Sequence, residues 1–402
     1  MAPLLGGVGV VWALASCSSP APAQPSGDAA QPCSDVEIDR FKELIIVDEG
    51  VVGDARSRND SAGPWSFRRR IEDMAPSTGD PADVAVKWLS IWKAPSQVNQ
   101  QQVPVRPFVD AKALCRWQRA LPSNECDPGC TACKARKFDL SLAPFRLVAI
   151  TNRADLVTIF EDPSTAGEVR FTYALTDGPG DDPASAPLNF TVIFEYRQPL
   201  LGRTRRDVAN AWHSLGKHTD FGESYKGELD GLLSTFVKKG IEPSRPFGSS
   251  IAQIRTNDRE FDWQWDLREF TLTDSGIKLH TTENTPAESL NGSSQLIQFL
   301  RNNEASIRAG KHMLPESLSG GSVGIISKWV APDVDSSLLA SFSAETCNGC
   351  HQNKMTDFNF HISPFKKGTA KLSTFLHDPS DPSHDAAATR VTSLQRMICG
   401  AL

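Results

Sequence analysis

The sequence predicts an α+β fold, in which a mixed, mainly antiparallel sheet is flanked by helices. Segments rich in β-branched and aromatic residues recur through the middle of the chain, and stretches of turn-forming residues separate them. Helical patterns precede, interrupt and follow these segments. Strands and helices alternate too irregularly for a doubly wound parallel sheet, so an antiparallel sheet with helices at its side is the better prediction.

The N-terminal part is predicted to be helical and then irregular. Residues 35–46 and 81–93 have helical periodicity. Trp88 and Trp92 are four positions apart and therefore share a helix face, so we assign both to the core. The stretch 94–142 is polar and contains Pro and Cys, which predicts irregular structure.

The middle of the chain supplies the sheet and more helices. Strands are predicted at 145–151, 168–175, 190–196, 250–256, 264–273 and 277–282. Helices are predicted at 205–217, 223–240, 296–311 and 337–345.

Composition and charge limit the classes of partner. The chain has 402 residues, of which 40% are apolar, and this is enough for one large or two ordinary domains. The formal net charge is −6, from 42 basic and 48 acidic residues. This balance provides no basic stripe for nucleic acid and no polybasic patch for a membrane surface. We therefore predict that the protein does not bind nucleic acid.

One short run near the end of the chain carries the most specific chemistry. Cys347 and Cys350 are separated by two residues and His351 follows at once, which is the attachment signature of c-type haem. Two thiols at this spacing can each bond to one vinyl group of the porphyrin, and the imidazole then lies under the iron. The segment 336–402, in which the helix at 337–345 leads into the motif, resembles class I cytochromes c. This resemblance implies haem c, with His351 as an axial iron ligand.

The second axial ligand is less clear from the sequence. His361 is our first candidate, because it lies ten residues after His351 and has Phe358 and Phe360 as neighbours that can pack on a porphyrin. Ligation by two histidines implies a lower potential than ligation by His and Met. A five-coordinate haem is the alternative. The weaker candidates are Met355, Met397, His312, His377 and His384.

The N-terminal residues are predicted to be an export signal. Residues 3–16 form a short apolar run of signal-peptide length, and Leu14-Ala15-Ser16-Cys17 resembles the lipobox of bacterial lipoproteins. The resemblance implies cleavage after residue 16, a lipid on Cys17 and a flexible tether over 17–34. Ser18 resembles the sorting residue of outer-membrane lipoproteins, so we expect a Gram-negative cell envelope location. No Lys or Arg precedes the apolar run, and a plain secretory signal is the alternative.

The remaining cysteines suggest disulfides. Of the nine cysteines, Cys17 and the two in the haem motif have assigned roles, which leaves an even number for an oxidising compartment. Cys33 and Cys399 lie near the two chain ends and are predicted to pair with each other. A Cys-rich loop at 115–133 is predicted to hold disulfides, although a four-sulfur metal site is the alternative. Its cysteines are Cys115, Cys126, Cys130 and Cys133.

The predicted organisation follows from these segments. It consists of a signal peptide at 1–16, a tether at 17–34, an α+β domain at 35–335 and the cytochrome-like segment at 336–402. Runs such as 150–156 and 265–270, together with the haem motif, also resemble a group of uncharacterised exported bacterial proteins. That likeness implies one integrated unit and supplies no activity.

Three functions remain open from the sequence. The first is single-electron transfer by a lipid-anchored haem c protein to or from a redox protein partner. The second is a haem-dependent oxidoreductase whose β-rich domain holds a substrate. The third is a non-redox surface binding protein, in which a Cys347–Cys350 disulfide leaves His351 as an ordinary surface residue.

Overall fold

One antiparallel sheet organises the part of the chain that the computed structural model describes. The described residues are 33–122, 126, 137–160, 162–324, 329–351, 355–356, 359–365, 369–383 and 385–402. The strands are β1 (Ile45–Ile46), β2 (Ser96–Val98), β3 (Gln101–Val103), β4 (Phe145–Arg153), β5 (Thr165–Thr176), β6 (Pro187–Pro199), β7 (Ile251–Asp258), β8 (Asp266–Thr273), β9 (Gly276–His280) and β10 (Val323–Gly324). The main sheet has the order β1-β4-β5-β6-β7-β8-β10, with β9 also paired to β8, while β2 and β3 form a separate hairpin. The predicted α+β class, with its mainly antiparallel sheet, is confirmed.

Helices lie between and after the strands. They are α1 (Glu49–Val52), α2 (Phe67–Asp73), α3 (Pro81–Ser90), α4 (Cys115–Arg119), α5 (Leu156–Phe160), α6 (Arg205–Ser214), α7 (Glu223–Val237), α8 (Ser294–Asn302), α9 (Glu304–Arg308), α10 (Ser336–Ala344), α11 (Cys347–Cys350) and α12 (Ala386–Ile398). Short 3-10 or π-helical turns occupy Cys33–Asp35, Arg40–Leu44, Ala55–Ser57, Ile91–Lys93, Asp110–Leu114, Leu140–Leu142, Leu215–Lys217, Pro246–Gly248, Glu288–Leu290 and Glu316–Leu318. None of the helices in the described ranges has the length and apolar character needed to cross a membrane.

Two of the predicted elements are wrong. The predicted helix at 35–46 is a single turn, because Ile45 and Ile46 pair with β4 and extend the edge of the sheet. The stretch 94–142 is not irregular throughout, since it contains the β2–β3 hairpin and α4.

The predicted helix at 296–311 is divided into α8 and α9 at Asn303. The side chain of Asn303 donates to the carbonyl of Phe299, a local bond that competes with helix continuation. The remaining predicted strands and helices are confirmed within a few residues at each end.

The register of the sheet separates an apolar face from a polar face. Ile150 lies opposite Phe171, Phe171 opposite Phe194, Phe194 opposite Ile254, and Ile254 opposite Phe270. Residues directly opposite each other point to the same face, so these five form one apolar stripe across the sheet. They belong to the main hydrophobic core.

Helices α2 and α3 cover the apolar face. Phe67 of α2 stacks on Phe145 with ring centroids 4.1 Å apart. Trp88 of α3 and the adjacent Trp92 both contact Phe270 and are buried, which confirms the predicted core role of the two tryptophans. This side of the molecule is an ordinary aromatic core.

The opposite face is polar and is also buried. Thr151 lies opposite Arg170, Arg170 opposite Glu195, and Arg255 opposite Glu269. All five side chains are at most 7% exposed. Charged side chains are seldom buried unless they are paired. The segment that covers this face therefore has to be identified.

The C-terminal segment joins the body of the protein at several points. A disulfide links Cys33 to Cys399, which confirms that predicted pairing. Arg40 donates to both carboxylate oxygens of Asp385, at 3.1 and 2.9 Å. The apolar side of α12 belongs to the main core, which includes Met397. The segment at 336–402 is therefore bound to the beginning of the described chain and to the main core.

A smaller cluster beside α10 buries a histidine without hydrogen bonds. His312 is 4% exposed, and its ring packs against Phe299 and Phe342. Neither ring nitrogen has a hydrogen-bond partner. Burial lowers the pKa of His312 to about 4, because a charged imidazole loses its hydration there.

We predict that His312 makes folding sensitive to acid. The unfolded chain binds a proton near pH 6.5, whereas the folded one resists it down to about pH 4, so stability falls as the pH falls through this window. Between pH 7 and pH 5, His312 should lower the free energy of unfolding by an amount on the order of 2 kcal/mol. In His312→Leu this decrease should be absent. Urea unfolding at both pH values measures it.

The control is the neighbouring exposed Met313, whose replacement by Leu removes no titratable group and should leave the pH dependence unchanged. An equal pH dependence in the wild type and in His312→Leu would exclude this role.

Candidate functional site

The two cysteines of the haem motif lie on a one-turn helix. Cys347 and Cys350 begin and end α11, directly after α10. Both are buried and neither forms a disulfide, so the Cys347–Cys350 disulfide of the third interpretation does not form in this structure. The turn is capped by Thr346, whose hydroxyl accepts from the N–H of Gly349 at 3.2 Å.

Neighbouring elements hold this turn in place. The N–H of Cys347 donates to Thr285 Oγ1 at 2.8 Å. The indole N–H of Trp329 donates to Thr346 Oγ1 at 3.1 Å and to Asn348 Oδ1 at 3.2 Å. All three are buried hydrogen bonds, so the backbone of the motif is fixed by residues far away in sequence.

His351 is oriented by a second clamp. Its Nδ1 lies 2.8 Å from the backbone oxygen of Asn359, and Asn359 Nδ2 donates to the oxygen of His351 at 2.8 Å. A carbonyl oxygen can only accept, so Nδ1 carries the proton and Nε2 carries the lone pair. This is the arrangement by which proteins prepare a histidine to bind metal through Nε2. The ring is 2% exposed and packs beside Trp265.

The candidate second ligand, His361, lies next to His351 and not across from it. Their ring centroids are 4.6 Å apart. His361 Nε2 is 3.2 Å from Cys350 Sγ, and its Nδ1 is 3.0 Å from Ser373 Oγ. Two axial imidazoles bind on opposite faces of a porphyrin, and there is no space for one between these rings. His361 as an axial ligand stays a prediction, which requires this side chain to move.

A cavity opens where these histidines meet the polar face of the sheet. Its volume is ≈ 80 Å³. This is well below the range of about 300–1,000 Å³ that is usual for ligand sites. The cavity is therefore narrow. A large planar ligand would therefore spread the lining side chains.

The lining of the cavity has two chemical characters. His351 and His361 lie beside an apolar part, formed chiefly by Phe360, Phe375 and Leu376. The cationic part consists of Arg153, Arg170, Arg255 and Arg390. Neither cysteine sulfur lines the cavity; Cys350 reaches it through its contact with His361.

The cationic part belongs to a ladder of ion pairs that our sequence interpretation missed. Arg170 Nη2 lies 2.8 Å from Glu168 and 3.1 Å from Glu195. Arg255 Nη1 is 3.4 Å from Glu195, and Arg255 Nε is 3.1 Å from Glu269. The signal was present as a period of two, since polar residues occupy alternate positions in strands whose other face is aromatic.

Burial changes the protonation of the carboxyl groups in this ladder. It raises the pKa of Glu195 to about 7, since loss of hydration outweighs the attraction of Arg170 and Arg255. Burial, together with the nearby charge of Glu269, raises the pKa of Glu283 well above its ordinary value. The arginines near the cavity are therefore less fully neutralised at neutral pH than a count of carboxyl groups implies.

The other predicted site residues are dispersed or lie outside the described residues. Cys115 and Cys126 are disulfide-bonded, as predicted, so those two sulfurs are not thiolate ligands. No group of three or more potential ligands that could hold a metal ion occurs within the described ranges. Met397 is in the core of the protein. Outside the described residues lie Cys17, Cys130, Cys133, Phe358 and His384.

Comparison with known proteins identifies no relative. Neither the protein-family models, nor the curated proteins, nor the solved structures provide a match to this chain. The likeness to c-type cytochromes and to lipoproteins therefore stays a prediction from the motifs at Cys347–His351 and Leu14–Cys17.

We predict that Gly349 is required for the geometry of the motif. A Cβ at this position would lie 1.8 Å from the backbone oxygen of Ser343, so Gly349→Ala forces the turn to open. The expected loss of stability is roughly 1–3 kcal/mol, with increased reactivity of the buried thiols of Cys347 and Cys350. Thermal unfolding and a thiol-reagent titration measure the two effects.

The matched control is Gly227→Ala in α7, where a Cβ would have no atom within 4 Å. This change should be neutral or slightly stabilising, because alanine is the better helix former. Equal behaviour of the two variants would contradict the assignment.

Proposed function

We propose that the protein is an envelope lipoprotein that carries one haem c and transfers single electrons to or from a redox protein partner. The haem would be attached through Cys347 and Cys350, and His351 would be its axial ligand. One observation carries the proposal: two cysteines that form no disulfide directly precede a histidine whose Nδ1 proton is fixed by a backbone oxygen. That leaves Nε2 available at a cavity with apolar and cationic walls.

The residues present fit a porphyrin in chemistry. A c-type haem needs two reduced thiols, one neutral imidazole, apolar contacts for the ring and cations for its two carboxylates. The two motif cysteines, which form no disulfide, supply the first need, and His351, oriented by Asn359, supplies the second. Phe360 and Phe375 supply apolar contacts, and the arginines supply the charge.

The protein's own residues would do three things in electron transfer. When bound, the haem supplies a one-electron iron couple. Asn359 fixes the orientation of the His351 ring through its backbone oxygen. Burial of the histidine excludes water from the ligand, and the arginines of the sheet set the local charge, both of which tune a redox potential.

The membrane part of the proposal rests on the N-terminal motif alone. Cys17 would carry the lipid, and the tether at 17–34 would connect it to the folded body, which begins near the Cys33–Cys399 disulfide. Fractionation of a Cys17→Ala variant tests this part: the variant should leave the membrane fraction, and unchanged membrane association would refute the lipid anchor.

We predict covalent haem attachment through the two thiols. The full chain, expressed with a c-type haem maturation system, should keep a peroxidase-active haem band on a denaturing gel. Because the thioether bonds need both sulfurs, Cys347→Ser with Cys350→Ser should lose the band.

The control is the double variant Cys33→Ser with Cys399→Ser, which removes two other cysteines and should keep the band. A wild-type chain without covalent haem, matured in cells that load a known c-type cytochrome, would end the proposal.

A second candidate, a haem-dependent oxidoreductase, is favoured by one specific observation. His361 lies against His351, and no Met or Lys is among the described residues that line the cavity. A site with one axial histidine would leave iron a free position for a substrate, next to the polar face of the sheet.

The absorption spectrum separates the two candidates. A low-spin spectrum that becomes high-spin in His361→Ala supports electron transfer, and a high-spin wild type supports catalysis.

A further inference from the structure

The polar face of the sheet has an excess of donors directed toward one space. Arg153, Arg170 and Arg255 come from three different strands, and Arg390 comes from α12. All four are at most 7% exposed. Four buried guanidinium groups around one cavity need acceptors, because an unpaired buried charge is strongly destabilising.

Three of these arginines form ion pairs with carboxylates that do not line the cavity. Arg170 and Arg255 pair with glutamates of neighbouring strands, and Arg153 donates to both oxygens of Asp155, with distances of 2.7–3.1 Å. No Asp or Glu is among the lining residues that the structure describes. The acidic groups therefore lie beside the arginines, and the wall that faces the cavity is cationic.

Arg390 lacks an adequate partner among the residues that the structure describes. Its Nε and Nη1 make no hydrogen bond, although the residue is only 5% exposed. The nearest carboxylate oxygen belongs to Asp155 at 3.7 Å, and Asp155 is already engaged by Arg153. Burial lowers the pKa of Arg390 to about 9, and the charge of Arg153 acts in the same direction. The cavity thus contains a guanidinium whose acceptor is not supplied by the residues that the structure describes.

The remainder of the lining defines the shape of that acceptor. Phe360, Phe375 and Leu376 form an apolar part of the same lining. A ligand that satisfies both parts carries a carboxylate on an apolar body. Hydrogen bonds from a guanidinium to a carboxylate are strong, and Arg390 has unused donors on both Nε and Nη1.

We propose that Arg390, together with Arg153, Arg170 and Arg255, forms a carboxylate-binding site at the cationic wall of this cavity. The carboxylate has two sources, a propionate of the covalently bound haem or a free apolar carboxylic acid. The first source rests on the proposed function, whereas the second is independent of it. The site itself can be tested without haem.

The first arm of the experiment uses the full chain with Cys347→Ser and Cys350→Ser, which cannot attach haem. Benzoate is titrated calorimetrically at pH 7, with neutral benzamide as the matched ligand. Benzoate should bind, benzamide should not, and Arg390→Gln should weaken benzoate binding by about 10- to 100-fold, the range expected for losing hydrogen bonds to a charged group. Arg396→Gln, an exposed arginine on the same helix, should leave binding unchanged.

A folding control keeps this arm interpretable. Because Arg390 is buried with unused donors, Arg390→Met should raise the Tm of the haem-free chain while abolishing benzoate binding. Two results would overturn the proposed site whether or not the protein attaches haem. One is that benzoate does not bind to the chain without the two motif cysteines. The other is that the Arg390 variants bind benzoate as tightly as that chain does.

The second arm assigns the source and uses the haem-loaded protein. If the propionates occupy the site, benzoate should no longer bind, and Arg390→Gln should shift the midpoint potential relative to Arg396→Gln. If the carboxylate is a free ligand, benzoate should still bind and perturb the Soret band. A haem-loaded protein in which neither effect occurs would contradict the site even if the first arm succeeded.

Discussion

The structure depends on how it accommodates charge on one face of its sheet. Arg170 and Arg255 each pair with a glutamate of a neighbouring strand, and these ion pairs are almost wholly buried. A buried ion pair does little for stability compared with apolar packing, and it becomes strongly destabilising when one partner is lost. The ladder therefore constrains everything that covers it, because any segment placed there must leave the charges paired.

The C-terminal segment covers the charged face but leaves some of its own donors unpaired, and these donors line the cavity. The segment is attached by the Cys33–Cys399 disulfide and by the core side of α12. It adds His351 and apolar side chains on one side, and it adds Arg390 with unused donors on the other. A cavity lining that has unused hydrogen-bond donors and an oriented imidazole can bind a ligand. A lining in which every polar group is paired would be only part of the core.

Part of this arrangement was readable from the chain. The aromatic and β-branched runs that became β4 to β8 identify themselves by composition, and the pair of tryptophans on α3 by its helical spacing. The short stretch containing Ile45 and Ile46 was misread as helix, because its partner strand lies about a hundred residues away and propensity alone cannot supply that pairing. The arginines of the sheet were visible as alternate polar positions, but a period of two does not say whether a polar face is buried or wet.

The sequence by itself determined the α+β class and the Cys-x-x-Cys-His motif, since local pattern is a property of the chain alone. Only the tertiary structure decided that Cys33 pairs with Cys399, that Cys347 and Cys350 are buried and form no disulfide, and that Arg390 lines the same cavity as three strand arginines. The physical reason is that hydrogen-bond direction and charge neighbourhood arise from contacts between residues far apart in sequence. Such contacts exist only after the sheet has its register and the C-terminal segment has packed on it.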